Sequence, residues 1–153
     1  MTLSLNKSEI LKIQQNKPPY LMMDHASEII PGKSSKGYKY LRDDEWFFRV
    51  HWEGDPNMPG MLQIESLVQI CSLAIFVIPK YSGKIVYLSR VNNVRFHKKI
   101  IPNDKLEIET EIISFSKGIA KCKGNGYVKE KIACSADFIL IQPDELNRFM
   151  PKK

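Results

Sequence analysis

The sequence has few cysteines and no cysteine pattern that suits a metal or a disulfide framework. Cys71, Cys122 and Cys134 lie far apart, and no CxxC pair or Cys/His cluster occurs. Spacings of this kind do not fit a zinc site, and an odd number does not fit a set of disulfides. We therefore expect three small buried thiols in a reducing compartment, and no metal. Residues 1–6 also lack the apolar core of a secretory signal, so the expected location is the cytoplasm.

A strong excess of one charge is missing as well. The 23 Lys and Arg residues outnumber the 17 Asp and Glu residues, and the net charge of +6 is a modest basic balance for 153 residues. Such a balance does not predict nucleic-acid binding, although it favours an acidic partner. The length and a hydrophobic fraction of 43% are typical of one globular domain, so we expect a single domain over residues 1–153.

Only one long hydrophobic segment occurs, over residues 61–78. As a helix it would be roughly 27 Å long, close to the thickness of a bilayer core. Glu65, Gln69 and Ser72 form a polar stripe along it, and a carboxylate is costly in the middle of a membrane helix. We therefore predict no membrane span but a helix at the centre of the fold. Asn57 or Met58 would cap it, with Asn57 the better cap chemically.

Segments with a two-residue period lie on both sides of this helix. Residues 105–112 alternate strictly between apolar and charged side chains, and residues 132–140 place Ile132, Cys134, Ala136, Phe138 and Leu140 on one face. The predicted strands are residues 20–30, 36–42, 84–96, 105–112, 119–128 and 132–140, and residues 8–15 predict a short helix. These segments indicate an α+β fold, in which an antiparallel sheet of about six strands wraps around one long central helix.

The residues that can do chemistry gather around the start of the long helix. His51 precedes a loop rich in proline and glycine, and Glu65 lies in a segment otherwise suited to a core. A buried carboxyl group has a raised pKa, whereas a Glu65 at the helix edge would simply face solvent. The Gly60 N–H is one of the unpaired donors at a helix N-terminus. These groups offer a base, an acid and an oxyanion donor, which suits proton abstraction beside a carbonyl.

Residues 51–65 read HWEGDPNMPGMLQIE and resemble the motif HFPGxPxMPGxLxxE of the FabA/FabZ-type 3-hydroxyacyl-acyl-carrier-protein dehydratases. The fourteen-residue step from His51 to Glu65 is kept, and Gln69 also resembles the FabZ branch. Similar flanking segments are PYLMMD at residues 19–24, VRFHK at 94–98 and IPND at 101–104. The chain departs from the family at Trp52 and Glu53, where the pattern has Phe and Pro, and at residues 16–17, where it has His-Arg.

The resemblance implies a hotdog fold and dehydration of (3R)-3-hydroxyacyl thioesters to trans-2-enoyl thioesters in fatty acid biosynthesis. It also implies that the acyl chain is carried on the phosphopantetheine of acyl carrier protein, and that no metal or redox cofactor takes part. His51 would remove the C2 proton, and Glu65 would protonate the leaving hydroxyl. The other implied site residues are Gly60 as oxyanion donor, Gln69 as the group that orients Glu65, and Met58 and Pro59 against the substrate.

The resemblance further implies a homodimer, or a trimer of such dimers, whose sites each combine His51 of one subunit with the acid of the other. Arg95, Lys98 and Lys99 form the best local basic cluster for an acidic carrier protein, although such a cluster can also be a plain solvated surface. The departures from the motif leave three alternatives: a dehydratase of a specialised lipid, polyketide or glycan pathway, a thioesterase, or a non-catalytic acyl-binding protein. The presence of both His51 and Glu65 argues against the last.

Overall fold

The structure, a computed structural model, describes residues 2–153. Its strands are β1 (Leu3–Asn6), β2 (His25–Ile30), β3 (Ser34–Tyr40), β4 (Tyr87–Phe96), β5 (Lys105–Ser116), β6 (Ile119–Val128) and β7 (Lys131–Ile141). Its helices are α1 (Lys7–Ile13), α2 (Phe48–His51), α3 (Gly60–Phe76) and α4 (Pro143–Asn147), with a 3₁₀ turn at Pro79–Tyr81.

All seven strands belong to one antiparallel sheet, in the order β1-β2-β3-β5-β6-β7-β4. The sheet curves around α3, which contacts β2, β3, β5, β6 and β7. The predicted α+β architecture is therefore confirmed. The sheet has one strand more than the predicted six, because the four-residue β1 pairs with β2 at the edge of the sheet. So short a segment has no readable period of its own and is strand only through that pairing.

Helix α3 is held tightly against the concave face of the sheet. The Ser35 hydroxyl donates to the Ile70 carbonyl at 2.6 Å, and the Gly32 N–H donates to the Ala74 carbonyl at 2.7 Å. A side chain at Gly37 would meet the Ile70 side chain and would stand 2.5 Å from the His25 carbonyl oxygen. Only glycine therefore permits this close approach of helix and sheet. Within residues 2–153, no helix has both the length and the hydrophobicity to cross a membrane.

The predicted strand over residues 20–30 begins only at His25, and this boundary was wrong for a tertiary reason. Leu21, Met22 and Met23 are buried, as their hydrophobicity suggested, but the Met22 N–H donates at 2.7 Å to the side-chain oxygen of Gln69. The backbone of this segment is thus bonded to the central helix instead of a neighbouring strand. The same segment carries one wall of the site described below.

Burial along the strands follows the alternation with one exception. Every apolar-face residue of β5 from Leu106 to Ile112 is buried, as predicted. Ile132 was predicted to face inward but is 38% exposed, whereas Ala133 and Cys134 are both buried. The reason is a bulge, since Gly126 pairs with Cys134 while the next residue, Tyr127, pairs with Ile132. One extra residue in β7 changes the face on which Ile132 lies.

The cysteines are free and buried, as predicted. Burial raises the pKa of the Cys134 thiol to about 12, so this sulfur is a poor nucleophile. The thiols therefore act as small apolar side chains in the core.

Candidate active site

His51 is the last residue of α2, a single helical turn that ends at the loop leading into α3. Its Nδ1 lies 3.0 Å from the backbone carbonyl oxygen of Asn57. A carbonyl oxygen only accepts hydrogen bonds, so Nδ1 carries the proton and Nε2 has the free lone pair. The half-exposed Trp52 ring lies beside the imidazole, with its centroid 5.6 Å from that of His51. The loop therefore presents His51 in the tautomer of a base.

The N-terminus of α3 is not capped by a side chain, which corrects the prediction for Asn57 and Met58. The N-cap residue is Pro59, and the Asn57 side chain donates to the Asp55 carbonyl at 2.7 Å instead. Met58 is fully buried, and its N–H donates to the Ile100 carbonyl at 2.8 Å. Within residues 2–153 the Gly60 N–H has no acceptor. It is a free donor at the positive end of the helix dipole.

Glu65 lies one and a half turns into α3 and is half-buried. Burial raises the pKa of its carboxyl group, and hydrogen bonds from Gln69 and Tyr20 partly offset that rise. Gln69 Nε2 donates to Glu65 Oε1 at 2.9 Å, across the single helical turn that separates them. A carboxyl group with a raised pKa keeps more of its protonated form near neutral pH, which is the form that donates a proton.

Gln69 ties this acid to the segment that precedes β2. Its Nε2 also donates to the Tyr20 carbonyl at 3.0 Å, and its Oε1 accepts from Met22 N–H at 2.7 Å. The pKa of the Tyr20 phenol is raised by burial and by the nearby charge of Glu65. Sequence reasoning missed Tyr20 as a site residue. The available signal was a tyrosine at the position where the resembled family has phenylalanine.

His51 and Glu65 have separate surroundings in the chain. His51 bonds to the loop carbonyl of Asn57, whereas Glu65 bonds to Gln69 and lies beside Tyr20. Within residues 2–153, no hydrogen bond joins His51 to Glu65. The structure therefore brings Glu65 and Gln69 together, as well as His51 and the loop, but not the base and the acid.

A pocket of about 420 Å³ opens at the start of α3. It is lined by Asn57, Met58, Gly60, Gln63, Phe96, His97, Lys98 and Lys99. Two of the three predicted basic residues, Lys98 and Lys99, thus lie at this pocket, and Lys99 pairs with Asp55 at 2.5 Å. Arg95 lies on β4 opposite Ser135 and is exposed, but it does not line the pocket. In the part of the chain that the structure describes, no cluster of three or more His, Cys, Asp or Glu residues could hold a metal ion.

Comparison with known proteins relates most of the chain to one family. Residues 15–137 match the FabA-like domain family. A 3-hydroxyacyl-(acyl-carrier-protein) dehydratase FabZ of Syntrophomonas wolfei is 38% identical over 137 residues, which cover 90% of this chain and 95% of that protein. The FabZ dehydratase of Alkaliphilus metalliredigens is 35% identical over 93% of this chain and 98% of that protein. That of Lactobacillus helveticus is 37% identical over 92% of this chain and 95% of that protein.

Solved structures share the fold at much lower identity. The dehydratase heterocomplex ApeI:P of Xenorhabdus doucetiae matches with a TM-score of 0.73 at 12% identity, over 94% of this chain and 97% of that chain. A hypothetical thioesterase of Streptococcus pneumoniae with coenzyme A matches with a TM-score of 0.55 at 13% identity, over 73% and 80% of the two chains. At such identities the likeness concerns the fold alone, and it confirms the predicted hotdog fold.

Proposed function

The chain belongs to the FabA-like family of 3-hydroxyacyl-(acyl-carrier-protein) dehydratases, a group of hydro-lyases of fatty acid biosynthesis, and we propose that His51 and Glu65 carry out its reaction. The substrate is a (3R)-3-hydroxyacyl thioester and the product is the trans-2-enoyl thioester. The observation that carries the assignment is the His51–Asn57 hydrogen bond, because it leaves Nε2 as a base beside a free helix N-terminus.

His51 Nε2 removes a proton from C2 of the acyl chain. The electron pair of that C–H bond forms the C2–C3 double bond, and the C3–O bond breaks. Glu65 gives its proton to the departing hydroxyl, which leaves as water. The proton on His51 must then return to Glu65 before the next turnover, so one base and one acid suffice for the cycle.

The thioester carbonyl acidifies C2 only if its oxygen is stabilised as negative charge develops. The Gly60 N–H has no acceptor in the described chain and stands at the positive end of α3, so it is the donor for this oxygen. The absence of a side chain at Gly60 lets the substrate approach, and Met58 and Pro59 form the adjoining wall. Gln69 keeps the Glu65 carboxyl in place through its bond of 2.9 Å.

A second copy of the chain is needed to bring the acid to the base. Strand β4 is an edge of the sheet and has one unpaired side, with Tyr87, Leu88, Val94 and Phe96 exposed along it. A ten-residue edge of this kind is suited to pairing with another strand. We expect two copies to pair along β4 in a homodimer, alone or within a trimer of dimers, in which His51 of one copy faces Glu65 of the other.

The pocket at the start of α3 is where the carrier protein would deliver the acyl chain. Lys98 and Lys99 lie at it, and their charges suit an acidic carrier. Arg95 is exposed on the neighbouring strand and would extend this basic surface. The cytoplasmic location and the need for no cofactor remain predictions.

Mixing two inactive variants tests the shared site. His51→Ala and Glu65→Gln subunits should each lose about 10²–10⁴-fold in turnover while they stay folded. After co-refolding in equal amounts, about half of the dimers are mixed, and each mixed dimer has one site with both groups intact. Turnover, measured as enoyl thioester absorbance, should then recover to about a quarter of the wild-type value.

Two controls keep this result interpretable. His25→Ala removes a histidine at the start of β2, far along the chain from the motif, and should keep wild-type turnover. Each variant refolded alone should stay inactive. If mixed dimers are confirmed by mass but no activity returns, the base and the acid act within one chain. If His51→Ala keeps wild-type turnover, the assignment of the base is wrong.

A further inference from the structure

Gln63 carries a buried hydrogen-bond acceptor that the chain leaves without a donor. The side chain is only 4% exposed, and its Nε2 donates to the Met58 carbonyl at 3.0 Å. Because that carbonyl can only accept, the bond determines which end of the amide is the nitrogen. Among residues 2–153, no donor reaches the remaining atom, Oε1. Buried side-chain acceptors nearly always have a partner, so a donor from outside the chain is indicated.

The position of Gln63 shows where that donor would come from. Gln63 lines the pocket at the start of α3 together with Gly60, three residues earlier on the same helix face. The first turn of the helix thus offers one free donor, the Gly60 N–H, and one free acceptor, Gln63 Oε1. The Phe96 ring packs against Gly60, so close that a Cβ there would stand 2.7 Å from it. This ring shelters the first turn, and water therefore competes less for the acceptor.

We propose that Gln63 Oε1 accepts a hydrogen bond from the amide N–H nearest to the sulfur in the pantetheine arm of the substrate. This inference rests on the proposed function, in which the thioester oxygen binds the Gly60 N–H. In the arm, two methylene groups separate the thioester sulfur from this amide nitrogen. Gly60 and Gln63 are neighbours on one helix face, so the two polar groups of the ligand match the two unpaired groups of the protein in order and in kind.

A pair of substrates that differ in one group tests the inference. The first is a 3-hydroxyacyl pantetheine, and the second is the same compound with the amide N–H nearest to sulfur replaced by an ester oxygen. The wild-type enzyme should prefer the amide by about tenfold in kcat/KM, because the ester presents a lone pair to Gln63 Oε1. Gln63→Met keeps the size and helix propensity of the side chain but removes the acceptor, so its preference should fall to about one.

The ratio of the two substrates separates binding from structure. Gln63→Met also loses its bond to the Met58 carbonyl, but that loss lowers kcat/KM for both substrates equally and leaves the ratio unchanged. Met61→Leu, on the exposed side of the same turn, should keep the wild-type ratio. If Gln63→Met keeps the tenfold preference, or if the wild type shows none, the acceptor serves the fold or a second copy and the inference is wrong. If the wild type dehydrates neither substrate, the proposed function falls together with it.

Discussion

Replacement of Gln69 by leucine should change both the stability of the protein and the acidity of Glu65. The Gln69 amide makes three hydrogen bonds: to Glu65 Oε1 at 2.9 Å, to the Tyr20 carbonyl at 3.0 Å, and from the Met22 N–H at 2.7 Å. Gln69 itself is 3% exposed, so water cannot take over these bonds. Leucine fills much of the same volume, which leaves the loss of hydrogen bonds as the main effect.

The magnitude follows from the groups left behind. Met22 is fully buried, and its N–H would have no acceptor, which costs about 1–3 kcal/mol. The Tyr20 carbonyl also loses its donor, so we expect a total loss of about 2–3 kcal/mol in the free energy of unfolding. This corresponds to a fall in Tm of roughly 5–10 °C for a chain of this size. Ser72→Ala is the matched control: it removes a buried hydroxyl from the same stripe of α3, but that hydroxyl bonds only to the Val68 carbonyl of the helix itself. Its cost should stay below about 1 kcal/mol.

The same variant should raise the pKa of Glu65. Gln69 donates to the carboxylate and so favours the ionised form, and removal of this donor favours the protonated form. Urea unfolding at neutral pH measures the first effect, and a carboxyl ¹³C NMR titration of Glu65 measures the second. The reasoning is refuted if Gln69→Leu is no less stable than Ser72→Ala, or if the pKa of Glu65 stays constant or falls.

Two further predictions concern stability. Burial raises the pKa of Glu65, so the wild type loses stability relative to Glu65→Gln as the pH rises from the unfolded value of 4.5 through the folded one. Glu65→Gln should therefore be the more stable protein at neutral pH, and the gap should close in acid; urea unfolding over a pH series checks this, and a gap independent of pH would contradict it. Gly37→Ala should cost about 2–3 kcal/mol because its Cβ would press on Ile70 and on the His25 carbonyl. Gly54→Ala, which has nothing within 4 Å, should change the free energy of unfolding by less than about 0.5 kcal/mol, and equal melting temperatures of the two variants would refute the packing argument.

The architecture was predictable where burial is one-sided. The strict alternation over residues 105–112 and the single apolar segment at 61–78 both require a core that the rest of the chain must supply. The prediction was wrong where a distant element takes over the backbone. Met22 bonds to the side chain of Gln69, and this contact, which spans 47 residues, removes the segment from the sheet. Ile132 changes face through a bulge, which no alternation pattern reveals.

The candidate site was predictable to the extent that it lies in one continuous motif. His51, Gly60 and Glu65 fall within fifteen residues, and their chemistry is legible from residue type alone. Tyr20 was not recognised, because it reaches Glu65 from a segment 45 residues away in the chain. The tautomer of His51 was equally out of reach, since its partner is a backbone carbonyl, which every residue possesses.

The wrong prediction for the cap of α3 follows from what the site requires. Asn57 is the best capping residue in its neighbourhood, and a side-chain cap stabilises a helix by about 1 kcal/mol. A side chain bonded to the first N–H groups of α3 would, however, occupy the place where a thioester oxygen has to bind. In the structure, Asn57 uses its carbonyl to orient His51, its side chain bonds to Asp55, and the Gly60 N–H stays free. The local rule of helix stability gives way at the one helix end whose unpaired donor the reaction needs.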